Sequence, residues 1–238
     1  AQYARTYLAS GTTHVELAEL TSQEMGIELG NVERKMFPNT ELYVRYGDSI
    51  RGKHVFIIQS LAASGNRSVN DSFMETLIMV DAAKRASASE VTVVVPYLAY
   101  GRQDRKARGR EPISAATVVR SLQSAGADRI VSVDMHSAQT QATFNGPFDH
   151  LTAETIIQEA LERRVGDNKD KFVVVSPDGG RAKVAEDYAQ ELGVNVVHMT
   201  KARDRHDPSK ITRPQTVAGV EGMTCMLIDD IIDTAGTL

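Results

Sequence analysis

The chain has 238 residues, of which 42% are hydrophobic and 24% are charged, and its net charge is -4. This composition is typical of a globular protein with one large or two small domains, and the acidic balance argues against a non-specific nucleic-acid-binding protein. No stretch approaches the roughly 20 consecutive apolar residues of a membrane helix, and we expect neither a signal peptide after Ala1 nor a membrane partner, which suits a cytoplasmic protein. Cys225 is the single cysteine; because it lies in the apolar run TCMLI, we expect a buried structural thiol.

Short runs of β-branched residues recur along the chain and predict strands that are buried on both faces. These runs are 55–59, 91–95, 130–133, 172–175, 194–197 and 226–228. Segments of helical periodicity lie between them, at 71–86, 113–125, 153–164 and 181–192. Alternating strands and helices predict an α/β fold with a mostly parallel sheet, and Asp71 is the predicted N-cap of the first helix. The turn-rich Asn145–Pro147 predicts two packed domains, residues 1–146 and 147–238.

Polar and charged residues follow five of these predicted strands. The segments are PYLAYGRQDRKARGREP at 96–112, DMHSAQ at 134–139, SPDGG at 176–180, HMTKARDR at 198–205 and DDIIDTAGT at 229–237. Ligands bind at the carboxyl ends of the strands in parallel sheets, so we expect the five strand ends to share one chemistry.

The segment at 229–237 carries the most specific signal. Its small residues allow backbone N–H groups to surround a phosphate at the start of a helix. Asp229 and Asp230 can bind sugar hydroxyls or a magnesium ion, and a phosphorylated sugar carries both kinds of group. The alternative is an ordinary helix with aspartates in its first turn, which the whole string after an apolar strand disfavours.

This string closely resembles the phosphoribosyl diphosphate-binding loop of type I phosphoribosyltransferases and ribose-phosphate pyrophosphokinases. Further segments resemble the pyrophosphokinases: FPNTE at 37–41, RQD at 102–104 with PISA at 112–115, AGADRIVSVDMHSAQTQ at 125–141, SPDGGRAK at 176–183 and MTKARDR at 199–205. The resemblance extends from about Leu8 to Leu238 and identifies the chain as a member of the pyrophosphokinase family. It implies two packed phosphoribosyltransferase-like domains, each with a mostly parallel sheet flanked by helices: an ATP-side domain at 1–146 and a ribose 5-phosphate-side domain at 147–238.

The resemblance also implies a reaction and its residues. The β,γ-diphosphoryl group of Mg-ATP is transferred to the C1 hydroxyl of ribose 5-phosphate, giving 5-phosphoribosyl 1-diphosphate and AMP, with Mg²⁺ as the cofactor. The implied ATP-binding residues are Phe37, Asn39, Glu41, Arg102, Gln103 and His136. The implied ribose 5-phosphate-binding residues are Arg203, Asp229, Asp230, Asp233, Thr234, Ala235, Gly236 and Thr237. Lys201 and Arg203 are implied to be catalytic, and His136 and Asp178 are implied to bind the metal.

The family assembles as dimers built into hexamers, so the resemblance implies a homo-oligomer. Family members continue after the segment at 229–237 with the helix that it opens, so we expect a truncated second domain and a weakly active or inactive fragment. Three alternatives are a type I phosphoribosyltransferase, a catalytically silent regulatory subunit, and a nucleic-acid-binding protein that uses the basic loop at 102–110. The RQD segment, the presence of Lys201 and His136, and the acidic balance disfavour them in that order.

Overall fold

The structure is a computed structural model, and it describes residues 3–177, 179–199, 202–203, 211–213 and 219–232. For 202–203 and 211–213 it describes the backbone alone. Contacts divide the chain into two units, Ala1–Thr152 and Ala153–Leu238. The boundary expected from the sequence lies a few residues earlier, before a strand that the structure places in the sheet of the first unit.

The first unit is built around a parallel sheet with helices and a separate hairpin. Its elements in chain order are β1 (Thr6–Ser10), α1 (Val15–Met25), β2 (Val32–Met36), β3 (Leu42–Tyr46), β4 (His54–Ile58), α2 (Val69–Arg85), β5 (Glu90–Val95), α3 (Ser114–Ala125), β6 (Arg129–Val133) and β7 (Phe148–Leu151). Five of the strands pair in the order β1-β4-β5-β6-β7, all parallel, while β2 and β3 form an antiparallel pair. Ile57, Val93 and Ile130 are fully buried in its core, as expected of strands covered on both faces.

Helix α2 begins at a capping box rather than at the predicted N-cap. The Ser68 hydroxyl accepts a hydrogen bond from the Asp71 backbone N–H at 3.2 Å, and the Asp71 carboxylate accepts one from the Ser68 N–H at 2.7 Å. The prediction that Asp71 is the N-cap was therefore wrong, since Asp71 occupies the third helical position. The helix then buries Met79 and Val80 completely, and each such burial stabilises the fold by about 1.5–3 kcal/mol.

The second unit has a smaller parallel sheet of the same kind. Its elements are α4 (Glu154–Val165), β8 (Phe172–Ser176), α5 (Ala182–Leu192), β9 (Asn195–His198), β10 (Ala202–Arg203), β11 (Ile211–Arg213) and β12 (Thr224–Leu227). Strands β12, β8 and β9 pair in that order in parallel, and β10 pairs with β11 antiparallel. Val174 and Ala185 are fully buried between the sheet and α5.

The predicted α/β fold with mostly parallel sheets flanked by helices is confirmed. The expectation of a buried Cys225 was wrong, because β12 is the edge strand of the sheet in the described part of the second unit, and the thiol is exposed. The hairpin strands VERKM and LYVRY were not predicted from the sequence. Charged residues interrupt them, so they lack the continuous apolar runs by which buried strands are recognised. Within the described ranges, no helix has the length and apolar character needed to span a membrane.

Candidate active site

In the first unit, two neighbouring strand ends bring predicted nucleotide-binding residues together. Strands β5 and β6 are parallel partners, with Val95 opposite Ser132, so the segments after them emerge at the same edge of the sheet. A Cβ atom built on Gly101 would lie 3.6 Å from the Cβ of His136. The backbone that leads into the RQD segment therefore packs beside His136.

The Gln103 side chain has a defined place at the start of helix α3. Its side-chain amide oxygen accepts a 2.6 Å hydrogen bond from the Ser114 hydroxyl, and its backbone carbonyl oxygen accepts one from the Ala115 N–H at 3.2 Å. Its own N–H donates to the Tyr100 carbonyl at 2.9 Å, and the Tyr100 hydroxyl bonds Asn70 at the start of α2. With its oxygen engaged, the Gln103 amide offers its two N–H donors to an acceptor such as a purine ring nitrogen.

Arg102 and His136 are exposed beside the segment that contains Gly101 and Gln103. An exposed guanidinium gives bidentate hydrogen bonds to phosphate oxygens, and an imidazole can contact a phosphate or a metal ion on it. The edge of the sheet after β5 and β6 thus offers donors for a polyphosphate and a base together.

The other predicted nucleotide-binding residues occupy the tip of the β2–β3 hairpin, a different element from the five-stranded sheet. Phe37 donates its N–H to the Glu41 carbonyl at 2.8 Å, and Asn39 accepts the Glu41 N–H at 3.2 Å. Phe37 is 46% exposed and meets Tyr43 edge-to-face with ring centroids 6.2 Å apart. Such an exposed aromatic pair presents a surface on which a base can stack.

In the second unit, strands β8 and β12 are parallel partners, with Val175 opposite Leu227, so the SPDGG segment and Asp229–Asp230 follow adjacent strand ends. The Asp230 carboxylate lies 2.5 Å from the Arg181 guanidinium, and the Asp230 side chain is 8% exposed. Arg181 directly precedes helix α5. This arrangement places two carboxylates and one partly buried cation at the same edge of the sheet.

Arg181 was not predicted from the sequence to be part of this site. A signal was present, because a cation at a helix N-terminus opposes the helix dipole and therefore needs a nearby anion. The only acidic pair that follows a neighbouring predicted strand is Asp229–Asp230. His150, whose ring contacts the turn after β6, was also not identified, and its exposed position on a strand carries no comparable signal.

Several predicted site residues lie outside the described residues. They are Asp178, Lys201, Asp233, Thr234, Ala235, Gly236 and Thr237. Arg203 lies in β10, where only the backbone is described. Within the described part of the chain, no group of three His, Cys, Asp or Glu side chains is arranged to hold a metal ion.

Comparison with known proteins defines the class of both units. The family model described as the N-terminal domain of ribose phosphate pyrophosphokinase matches residues 6–126, and a phosphoribosyl transferase domain model matches residues 148–238. The protein is therefore built from two phosphoribosyltransferase-like domains, as predicted, and the matched part of the second is shorter.

Relatives then establish the family. The ribose-phosphate pyrophosphokinase of Bifidobacterium longum is 46% identical over 97% of this chain and 67% of that protein. That of Streptomyces coelicolor is 44% identical over 96% of this chain and 69% of that protein. The crystal structure of phosphoribosylpyrophosphate synthetase from Mycobacterium smegmatis superposes with a TM-score of 0.85 at 42% identity, covering 98% of this chain and 74% of that one. The chain belongs to the ribose-phosphate pyrophosphokinase family, which confirms the family and the enzyme class expected from the motifs.

Proposed function

We propose that this chain transfers the β,γ-diphosphoryl group of Mg-ATP to the C1 hydroxyl of ribose 5-phosphate, releasing AMP. The observation that carries the proposal is the match of both halves to pyrophosphokinase relatives over 97% of the chain. A type I phosphoribosyltransferase would explain the segment at 229–237 but has no need of the RQD segment packed beside His136.

On the nucleotide side, we propose that Arg102 binds the triphosphate and that the Gln103 amide donates to the adenine. Phe37 would stack on the base, while Asn39 and Glu41 would contact the adenine or the ribose. The exposure of the Phe37 ring and the fixed carbonyl of Gln103 support these roles.

The metal ion enters as part of the substrate, Mg-ATP. His136 and Asp178 are proposed to contact it, directly or through water, because histidine is an unusual ligand for magnesium. The exposed imidazole of His136 fits an ion that takes most of its oxygen ligands from the triphosphate and water.

On the sugar side, we propose that Asp229 and Asp230 accept hydrogen bonds from the ribose hydroxyls. Asp233 and residues 234–237 would surround the 5-phosphate with backbone N–H groups and hydroxyls. The Arg181–Asp230 ion pair supports this division, because it offsets part of the negative charge of the two aspartates next to a bound phosphate.

In the proposed reaction the C1 hydroxyl oxygen attacks the β-phosphorus of ATP in line with the bridging oxygen to the α-phosphorus. The new O–Pβ bond forms, the bond from Pβ to that bridging oxygen breaks, AMP leaves with the bridging oxygen, and the hydroxyl proton passes to solvent. Such chemistry depends mainly on positioning and charge neutralisation. We propose that Lys201 and Arg203 stabilise the charge on the transferred group. Assembly into a homo-oligomer remains a prediction from the resemblance, and a cytoplasmic location remains a prediction from the sequence.

The test measures AMP release from Mg-ATP with and without ribose 5-phosphate. The chain, Lys201→Ala and the control Lys171→Ala, which changes an exposed lysine after α4, are compared. We expect weak, sugar-dependent AMP release that falls at least about a hundredfold in Lys201→Ala and is unchanged in the control, since loss of one stabilising charge in the transition state has effects of this order. A folded chain that binds ATP but releases no AMP contradicts the proposal.

A further inference from the structure

The turn that follows β6 is held by the end of strand β7 through three hydrogen bonds. Asp134 donates its backbone N–H to the Leu151 carbonyl at 3.0 Å. Met135 donates its N–H to the Nε2 atom of His150 at 2.9 Å. The Thr152 hydroxyl donates to the Asp134 carboxylate at 2.9 Å. The backbone and side chains of one strand end thus bind two consecutive residues of the turn.

These hydrogen bonds hold Asp134 in an unfavourable backbone conformation. Asp134 has a φ of 42°, in the left-handed region, which costs a non-glycine residue on the order of 1 kcal/mol. The Met135 side chain packs against the core of the first unit, and Ser137 is buried. His136 is therefore the one exposed residue between two anchored neighbours, and the direction of its side chain is set by how the turn is held.

The His150 contact has a defined chemistry. A backbone N–H can only donate, so Nε2 of His150 is the unprotonated acceptor, and in the neutral ring the proton is on Nδ1. His150 is exposed on β7, the edge strand of its sheet. Its replacement therefore removes the acceptor without opening a cavity in the core.

We propose that His150 is a positioning residue of the nucleotide site. By accepting the Met135 amide, it sets the turn so that His136 lies beside Gly101 and the RQD segment. The inference rests on the proposed function, in which His136 contacts Mg-ATP. His150 itself touches neither substrate; it acts through the turn, as a supporting residue that fixes a binding geometry.

Three variants separate this role from a general structural one. His150→Leu removes the acceptor, and His150→Gln retains an amide oxygen at about the reach of Nε2. Leu151→Ala is the control, because it shortens a 51% exposed side chain on the same strand and leaves the backbone carbonyl in place. The KM values for Mg-ATP and for ribose 5-phosphate, the calorimetric Kd for Mg-ATP, and the hydrogen-exchange protection of the Met135 amide are measured.

We expect His150→Leu to raise the KM and Kd for Mg-ATP about five- to tenfold, the effect of losing roughly one hydrogen bond. The KM for ribose 5-phosphate should change less than about twofold, and the Met135 amide should lose protection. His150→Gln should recover most of the Mg-ATP affinity and most of the protection of the Met135 amide. Leu151→Ala should match the unaltered chain in every measurement.

Equal losses for both substrates, or a His150→Gln variant as impaired as His150→Leu, would overturn the positioning role while leaving the proposed reaction intact. Unchanged protection of the Met135 amide in His150→Leu would overturn it as well. If the unaltered chain forms no sugar-dependent AMP, the proposed reaction fails. The positioning role is then tested by the Kd for Mg-ATP and the protection of the Met135 amide, and it is overturned if either is unchanged in His150→Leu.

Discussion

The Arg181 guanidinium lies 2.5 Å from the Asp230 carboxylate and joins the start of helix α5 to the end of strand β12. Asp230 is nearly buried, with 8% of its side chain exposed, while 25% of the Arg181 side chain is exposed. Truncation of the arginine would remove this ion pair from a carboxylate in a poorly solvated position.

We predict that Arg181→Ala raises the KM for ribose 5-phosphate about tenfold or more and lowers the free energy of unfolding by about 1–3 kcal/mol, because the nearly buried Asp230 loses this ion pair. Steady-state kinetics and denaturant unfolding measure the two effects. Arg164→Ala, which truncates an exposed arginine at the end of α4, is the control and should change neither. An Arg181→Ala variant with an unaltered KM for ribose 5-phosphate would argue against a role for the Arg181–Asp230 ion pair in the site.

The close approach of Gly101 to His136 leads to a second prediction. A Cβ on Gly101 would lie 3.4 Å from the Leu98 carbonyl and 3.6 Å from the His136 Cβ, both ordinary contact distances. Gly101→Ala should therefore retain the KM for Mg-ATP within about twofold, whereas Gly101→Val should raise it about tenfold, because its extra methyl groups press on the turn. Comparable kinetics for the alanine and valine variants would show that this close approach has no bearing on the nucleotide.

Substitution of the buried Glu75 should have a large effect on stability, although Glu75 has no direct role in the site. Its carboxylate is 1% exposed and accepts hydrogen bonds from the Thr12 N–H and hydroxyl at 2.9 and 2.7 Å and from the Gln59 amide at 2.6 Å. Arg67 lies 3.3 Å from its other oxygen. Several donors therefore converge on one buried anion and connect the loops after β1 and β4 to helix α2.

We expect Glu75→Ala to lower the free energy of unfolding by roughly 3–5 kcal/mol, because it leaves the Arg67 charge and the Gln59 amide without their partner. Thermal and denaturant unfolding give the value, with the exposed Glu16→Ala as the control. A loss below about 1 kcal/mol, the range of exposed ion pairs, would contradict the structural role.

The capping box of α2 predicts a dependence of stability on pH. The Ser68 backbone N–H, followed by its hydroxyl, holds the pKa of Asp71 below its ordinary value. A carboxyl whose pKa is depressed by folding stabilises the folded state above its unfolded pKa of about 3.9, and this contribution is lost as the pH falls through the folded pKa.

Asp71→Asn should therefore destabilise the protein at pH 7 and have a smaller effect near pH 3, which lies below the unfolded pKa of about 3.9, so that part of the carboxylate's contribution is lost. Thermal unfolding at the two pH values measures the difference, with Asp167→Asn in an exposed turn as the control. An equal loss of stability at both pH values would mean that the charge of Asp71 does not contribute.

The sequence by itself determined the alternation of strands and helices and the family. Runs such as 91–95 and 172–175 are too short for helices and are β-branched except for Phe172, so local periodicity is sufficient to identify them. The ordered motifs at the strand ends identified the family, since each is a contiguous string. The start of α2 was missed because a capping box depends on which of two nearby polar residues has the extended backbone.

Only the tertiary structure decided which side chains meet. The ion pair of Arg181 with Asp230, the close approach of Gly101 to His136 and the hydrogen bond of Met135 to His150 each join residues that lie in or after different strands. They exist because parallel pairing aligns β8 with β12, β5 with β6, and β6 with β7. Cys225 became exposed for the same reason, since its strand lies at the edge of the described sheet. Strand order is a long-range property that depends on packing between distant segments, and local periodicity contains no information about it.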